Sequence, residues 1–202
     1  MGRWPQPRIR ERLLDGATRF VLENGLPVPS LTPMATALET SPRMLIYHFG
    51  TKDKLVREAL VEARRRQRAL FGTALTHRPG VPYADTLTAA WSIIAGAEGQ
   101  SYVRLFSAVH ALPDGETPWG CFPVMAVHDW LPILEAGLRT DGYPDTPALA
   151  TLTLAVARGL LLDRRTTGEH DRATDAYGTF IDILRNRRAV DPTGASEISD
   201  AS

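Results

Sequence analysis

The chain has a single cysteine, Cys121, in 202 residues. An intrachain disulfide is therefore excluded, and a zinc site built on clustered cysteines is excluded with it. Histidine is scarce too, at five residues, and no His-Glu-x-x-His pair occurs. A Gly-rich phosphate loop, a Gly-x-Ser-x-Gly elbow and a Cys-x-x-Cys pair are also missing. No enzyme, cofactor or metal site is expected. No apolar run approaches the roughly 18 residues of a membrane span, so no membrane partner is expected. The first residues, with Trp4, Pro5 and Pro7 among arginines, lack the apolar stretch of a secretory leader. The expected location is the cytoplasm. Long alternation of Val, Ile and Thr is absent, as are Asn-Gly hairpin turns between apolar runs. What remains reads helical, and the expected fold class is all-α.

The formal net charge is zero, but the charges are unevenly shared. Through Arg78 the chain carries 14 Lys and Arg against 7 Asp and Glu; after it, 9 against 16. A basic segment followed by an acidic remainder directs the first at a polyanion and not the second.

The spacing of Ile9, Leu13, Ala17, Phe20 and Val21 predicts a first helix over 8–24. Asn24-Gly25 stops it, and Pro27 and Pro29 prevent its resumption. Ser30 is read as the cap of a short second helix over 31–38, with Pro33 in its first turn. Ser41-Pro42, a cap followed by proline, opens a third helix through His48. Two short helices joined by three residues make a helix-turn-helix. A fourth helix follows over 52–75. Beyond Pro79-Gly80-Val81-Pro82 longer and more apolar helices are expected over 83–97, 100–111, 119–139, 147–166 and 170–187, with Pro123 and Pro132 bending or interrupting the third of these. Thr146-Pro147 repeats the cap-then-proline start. The end, from about residue 189, has the composition of a solvated tail.

The run Ser30-Leu-Thr-Pro-Met-Ala-Thr-Ala-Leu-Glu-Thr-Ser-Pro-Arg-Met-Leu-Ile-Tyr-His-Phe-Gly-Thr-Lys-Asp-Lys-Leu55 resembles the TetR family of bacterial transcription regulators. Its most specific part is Leu45 to Leu55, and with the preceding helix the match covers about residues 8–60. The resemblance implies a helix-turn-helix DNA-binding domain at 1–50, packed with the fourth helix to about residue 60. A helical ligand-binding and dimerisation domain at 51–188 and a tail at 189–202 complete the expected organisation. Two positions depart from the family. Glu39 stands where glycine is usual in the tight turn, so either the turn differs or Glu39 takes ordinary helical angles. Ile46 replaces a tyrosine that commonly contacts phosphate, and that contact passes to Tyr47 or is absent. The helix of Thr151 to Asp163 is similar to the penultimate helix of such regulators. With the last helix it implies a homodimer through residues 147–187, burying Leu152, Val156, Leu160, Phe180 and Ile183 between subunits or against the body.

Recognition helices place N-terminal side chains on base edges while flanking groups hold phosphate. Arg43 is the candidate base contact, since a guanidinium bridges guanine O6 and N7. Pro42 offers only apolar contact. Tyr47 and His48 are candidates for phosphate, and so is Lys52, at the start of a helix whose free N–H groups favour anions. Ser30, Thr32 and Ser41 complete the DNA-binding set. Arg3, Arg8 and Arg10 are candidate extra phosphate contacts, whereas Arg64-Arg65-Arg66-Gln67-Arg68 is read as a solvated or interdomain face. Leu45 and Phe49 are expected in the core. The segment Tyr83 to Tyr143 is rich in large or polarisable side chains. Trp91, Tyr102, Phe106, His110, Trp119, Met125 and His128 are the candidate lining of a largely apolar site for a small apolar or aromatic effector, with Arg158 or Arg104 as its charge. The sequence thus reads as a repressor released from a palindromic operator by a small molecule. A DNA-binding regulator without an inducer, and a small helical enzyme or ligand carrier, are the competing readings.

Overall fold

A computed structural model describes residues 7–110 and 122–189. Those residues form ten helices and no strand: α1 (Pro7–Asn24), α2 (Thr32–Ala37), α3 (Pro42–Phe49), α4 (Lys52–Leu75), α5 (Tyr83–Ile94), α6 (Ala97–His110), α7 (Phe122–His128), α8 (Leu131–Thr140), α9 (Thr146–Thr167) and α10 (His170–Ala189). The all-α expectation holds. The helix expected over 119–139 is two helices, parted at Asp129-Trp130, with Pro132 in the first turn of α8. Proline lacks the N–H for the helical ladder, and its ring crowds the preceding turn, so the interruption falls there.

The chain divides into two compact units. The first contains α1 to α3, most of α4, and α6; the second contains α5, α8, α9 and α10. The first unit is larger than the head at 1–50 expected from sequence. The reason is a shared core: Leu105, Phe106 and Val109 of α6 cluster with Leu13, Ala17, Val21, Leu45, Phe49 and Leu55. Arg104 adds a polar join, donating to the carbonyls of Leu22 and Glu23 at 2.6 and 2.8 Å. These carbonyls belong to the last turn of α1 and have no partner within the helix. Arg104 thus ties α6 to the end of α1.

Ion pairs tie α1 to α4. Arg10 pairs with Glu58, and its guanidinium lies 4.8 Å from the centre of the Phe49 ring. Arg66 reaches both Asp15, at 2.7 Å, and Glu62, at 2.8 Å. Hydrogen bonds from Arg65 and then Arg66 hold the Glu62 carboxyl down to about 2, against the opposing effect of burial. The arginine run of α4 is divided: Arg65 and Arg68 are exposed, while Arg64 and Arg66 turn toward their own unit. Arg64 is buried, bonded to Gln67, and stands over Phe106 at 5.7 Å.

Close approach governs the α1–α2 contact. A methyl group on Gly16 would come within 2.8 Å of Leu38 Cγ, so any larger residue there requires Leu38 to shift. The turn after α2 returns through Glu39, which adopts a left-handed φ of 51° and not ordinary helical angles. Its N–H donates to Thr36 O, and that of Thr40 to Ala35 O, at 3.1 and 2.9 Å. A side chain in this region costs about 1–2 kcal/mol relative to the right-handed conformation, whereas glycine takes it freely. Glu39→Gly is therefore expected to raise the unfolding free energy by about 1 kcal/mol, after allowance for the looser unfolded chain. Urea denaturation of both proteins checks this, and a lower stability in the variant would count against strain at residue 39.

In the second unit Tyr83 is fully buried. Its hydroxyl donates to Leu75 O and its N–H to Asp141 Oδ2, both at 2.9 Å. Burial pushes its phenol well above the ordinary range. The ring lies flat against α8 at Gly137, where a Cβ would fall 2.1 Å from Tyr83 Cζ. Trp91 of α5 stacks on Tyr177 of α10, centroids 4.3 Å apart and planes within 12°. Helix α9 begins at an Asp145 N-cap position with a left-handed φ of 49° and no side-chain cap bond, so Thr146 does not act as the cap. This helix packs on α8 and α10. By length and composition it also meets the requirement for a membrane span, which the sequence reading denied to every segment.

Against the described residues, α9 buries Leu149, Ala150 and Thr153 and leaves one side exposed. Ala148, Leu152, Ala155, Gly159 and Leu162 are exposed and recur at alternating spacings of four and three. Leu152 and Leu162 are 47% and 55% exposed, and a Cβ at Gly159 would meet nothing. On α10 the exposed row Ala176, Thr179, Ile183 and Asn186 follows the same rhythm, with Ile183 62% exposed. Of the residues expected to pack here, Phe180 is buried and Val156 and Leu160 are half-buried.

Candidate nucleic-acid interface

Local rules set the position of α3. Ser41 has extended backbone angles, and its Oγ accepts the N–H of Met44 at 3.2 Å. Pro42 occupies the first turn, where no N–H is required. Gly50, at φ 84°, ends the helix, and its N–H donates to Ile46 O at 2.7 Å. Thr51 then caps α4, its Oγ1 accepting the N–H of Lys54 at 3.1 Å. Ser41 is the cap that the sequence predicts. Ser30 is not: Leu31 holds the N-cap position of α2 with no side-chain cap bond.

Leu45, His48 and Phe49 are the buried residues of α3, and they fix its rotation. Pro42, Arg43, Met44, Ile46 and Tyr47 face outward. At about 100° per residue, Arg43 and Tyr47 run along the middle of the outward face, with Met44 and Ile46 on its two sides. Met44 and Ile46 are each 41% exposed and Tyr47 49%. Ser30, Thr32, Ser41 and Lys54 are exposed as well. The half-buried Lys52 donates from Nζ to Pro29 O at 3.4 Å, which holds the ammonium beside the loop before α2.

His48 departs from its expected role. The side chain is buried, with both ring nitrogens closed to solvent and without a hydrogen-bond partner among the described residues. It packs edge-on to Tyr47, centroids 5.2 Å apart. Phosphate cannot reach it in this conformation, because its helical position sides with Leu45 and Phe49. Arg10 is likewise engaged by Glu58 and Phe49, Arg8 is exposed, and Arg3 lies outside the described residues. Reading sequence for capping and core positions missed Met44, Ile46 and Lys54 as surface residues. For Met44 and Ile46 the signal was present: once Leu45 and Phe49 are assigned inward, a rotation of about 100° per residue turns residues 44 and 46 away from them, while it turns residue 48 toward the core.

The residues expected around an effector belong to several helices. Tyr102 and Phe106 share one face of α6; Tyr102 meets the edge of Phe71 at 6.1 Å, and Phe106 lies beneath Arg64. His110 ends the same helix. Trp91 belongs to the packed stack with Tyr177, and its indole N–H donates to Thr174 Oγ1 at 3.3 Å. Met125 and His128 are exposed on α7, and Arg158 is half-buried on α9. Trp119 lies outside the described residues. A groove of about 350 Å³ opens elsewhere, between α1 and the end of α2, lined by Arg12, Arg19, Glu23 and Glu39 around Gly16 and Leu38.

No protein-family profile matches the sequence, and no curated protein matches it. Solved structures do match. A transcriptional regulator from Rhodococcus sp. RHA1 aligns with a TM-score of 0.72 at 23% identity, over 90% of this chain and 99% of its own. A TetR transcriptional regulator from Legionella pneumophila gives 0.67 at 18% identity, over 91% and 99%. GusR of Salmonella enterica gives 0.64 at 21% identity, over 93% and 100%. The chain has the fold of the TetR transcriptional regulators, as the resemblance at Ser30 to Leu55 implied.

Proposed function

We propose that the chain is a DNA-binding transcription regulator that acts in the cytoplasm as a homodimer on a pseudo-palindromic operator. The observation that carries this reading is the outward face of α3. Arg43 is exposed near its start, Tyr47 one turn on, and Lys52 and Lys54 stand on the next helix. This is the arrangement by which a recognition helix enters the major groove while flanking groups hold phosphate. Ser30, Thr32, Ser41, Pro42, Arg43, Tyr47 and Lys52 remain the interface in this reading, and His48 moves to the supporting core.

The uncovered seams of α9 and α10 support the homodimer. Large contiguous apolar surface on a soluble chain marks an interaction site, and spacing of four and three suits helices packed against helices. A two-fold dimer places its recognition helices on half-sites about one helical turn, or a multiple, apart. The protein acts as a repressor, released by a small apolar or aromatic effector. Support for the release step is the join of α6 to α1 through Arg104, since a ligand that moves α6 acts on the helix packed behind α3. Such a ligand must bind the DNA-free form more tightly.

The test is binding to duplexes selected from a random pool. Affinity should fall with salt at a log–log slope of about −0.9 per phosphate neutralised, over about 6–10 contacts. Lys52→Ala should weaken binding to every sequence alike and reduce the slope by about one. Arg43→Ala should relax preference at particular base pairs, at about 1–3 kcal/mol each. Binding without salt dependence would remove the DNA-binding reading. Operator binding unmoved by a broad metabolite screen would favour a regulator without an inducer.

A further inference from the structure

Helix α3 carries more exposed apolar surface than phosphate contact requires. Met44, Ile46 and Tyr47 are each more than two-fifths exposed, within eight residues whose inward side is already filled by Leu45, His48 and Phe49. Single exposed apolar side chains are ordinary, but three neighbours on one short helix form a patch that asks for a partner. The patch frames a cation. Met44 and Ile46 lie on the two sides of the Arg43–Tyr47 row, and Lys52 and Lys54 begin the following helix. The partner must therefore be anionic overall and offer apolar groups at close spacing beside its polar edges.

The major groove of double-stranded DNA meets both demands. Its phosphates supply the negative charge, and among the four bases thymine alone presents an apolar group there, the C5-methyl. Ile46 has no donor or acceptor and the Met44 thioether is only a weak acceptor, so the methyl is their best complement on a base edge. We infer that Met44 and Ile46 are specificity-determining residues that pack on thymine methyls flanking the base pair read by Arg43. This inference rests on the proposed DNA-binding function and adds to it the composition of the half-site. Guanine opposite Arg43 should have thymine on either side, on whichever strand brings the methyl toward the protein.

The full-length chain is first used to select duplexes from a random pool. Each thymine of the selected half-site is then replaced by deoxyuridine, which deletes only the methyl and leaves the hydrogen-bonding edge intact. At the one or two contacted thymines of each half-site, affinity at fixed salt should fall about fourfold per methyl, as expected for the burial of one such group. In Met44→Ala or Ile46→Ala the matching deoxyuridine should cost nothing further, because the side chain that met the methyl is gone. Both positions are exposed, so the helical circular dichroism of the variants should equal that of the parent. Deoxyuridine without effect at every thymine would overturn the inference while leaving DNA binding intact. An undiminished effect in both alanine variants would do the same, since the methyl would then act through DNA shape. A change of sedimentation mass in the double alanine variant would assign the patch to a protein contact and overturn it as well. Failure to enrich any duplex would remove the DNA-binding reading and this inference together.

Discussion

Glutamate at both Leu152 and Ile183 is expected to hold the protein as a monomer at micromolar concentration and to abolish specific operator binding. Both side chains are apolar and exposed, at 47% and 62%. Neither belongs to the packed interior of its own unit, so the variant should keep its helicity and its unfolding midpoint. In a dimer through α9 and α10 the two-fold axis duplicates each substitution. Four carboxylates would then be desolvated against apolar surface, each at a cost of several kcal/mol. A total loss of even about 4 kcal/mol raises the dissociation constant about a thousandfold. Loss of the dimer uncouples the two recognition helices, and each half-site alone binds far more weakly. Sedimentation equilibrium and operator titration on the same preparation read both effects. An intact dimer in the variant would refute the assembly proposed here, and undiminished operator affinity in a monomer would refute the need for it.

Gly137→Ala is expected to destabilise the protein by about 3 kcal/mol or more, the upper end of overpacking costs. The added methyl would stand 2.1 Å from Tyr83 Cζ, and ring atoms have no free rotation by which to yield. Tyr83 is also pinned at both ends, by its hydroxyl to Leu75 O and its N–H to Asp141. Shortening the ring should relieve the clash. Gly137→Ala in a Tyr83→Leu background should cost much less than in the parent, a coupling that denaturant titration of the four proteins measures. Equal costs in both backgrounds would show that the contact is not the cause.

The helix-turn-helix was legible because its determinants are local. The Ser41-Pro42 start, the Gly25 and Gly50 stops and the inward Leu45 and Phe49 are set by residues within a few positions of one another. Glu39 was not legible: a left-handed non-glycine residue has no signature of its own and is imposed by the bonds around it. Ser30 and Thr146 have the composition of caps, but the backbone begins each helix one residue away from that reading. His48 carries a polar label yet sits at a core angle of α3. Aromatic content in a helix does not say which neighbour each ring faces. Trp91 meets Tyr177, 86 positions later, and only the assembled fold brings them together.

Arg104 grips two main-chain carbonyls, and that choice of partner carries an evolutionary consequence. The exposed residue 23 can change without removing its acceptor, and at residue 22 the limit is set by the buried side chain and not by the hydrogen bond, because every amino acid brings the same carbonyl. The arginine, by contrast, cannot be replaced by a residue with fewer or shorter donors without releasing the end of α1. Among descendants of this chain, position 104 should therefore vary less than the exposed residue 23 whose carbonyl it holds. Methods that infer contacts from correlated substitution would draw the junction of α1 and α6 from its packed side chains and would pass over these two hydrogen bonds, although they join helices some eighty residues apart in sequence.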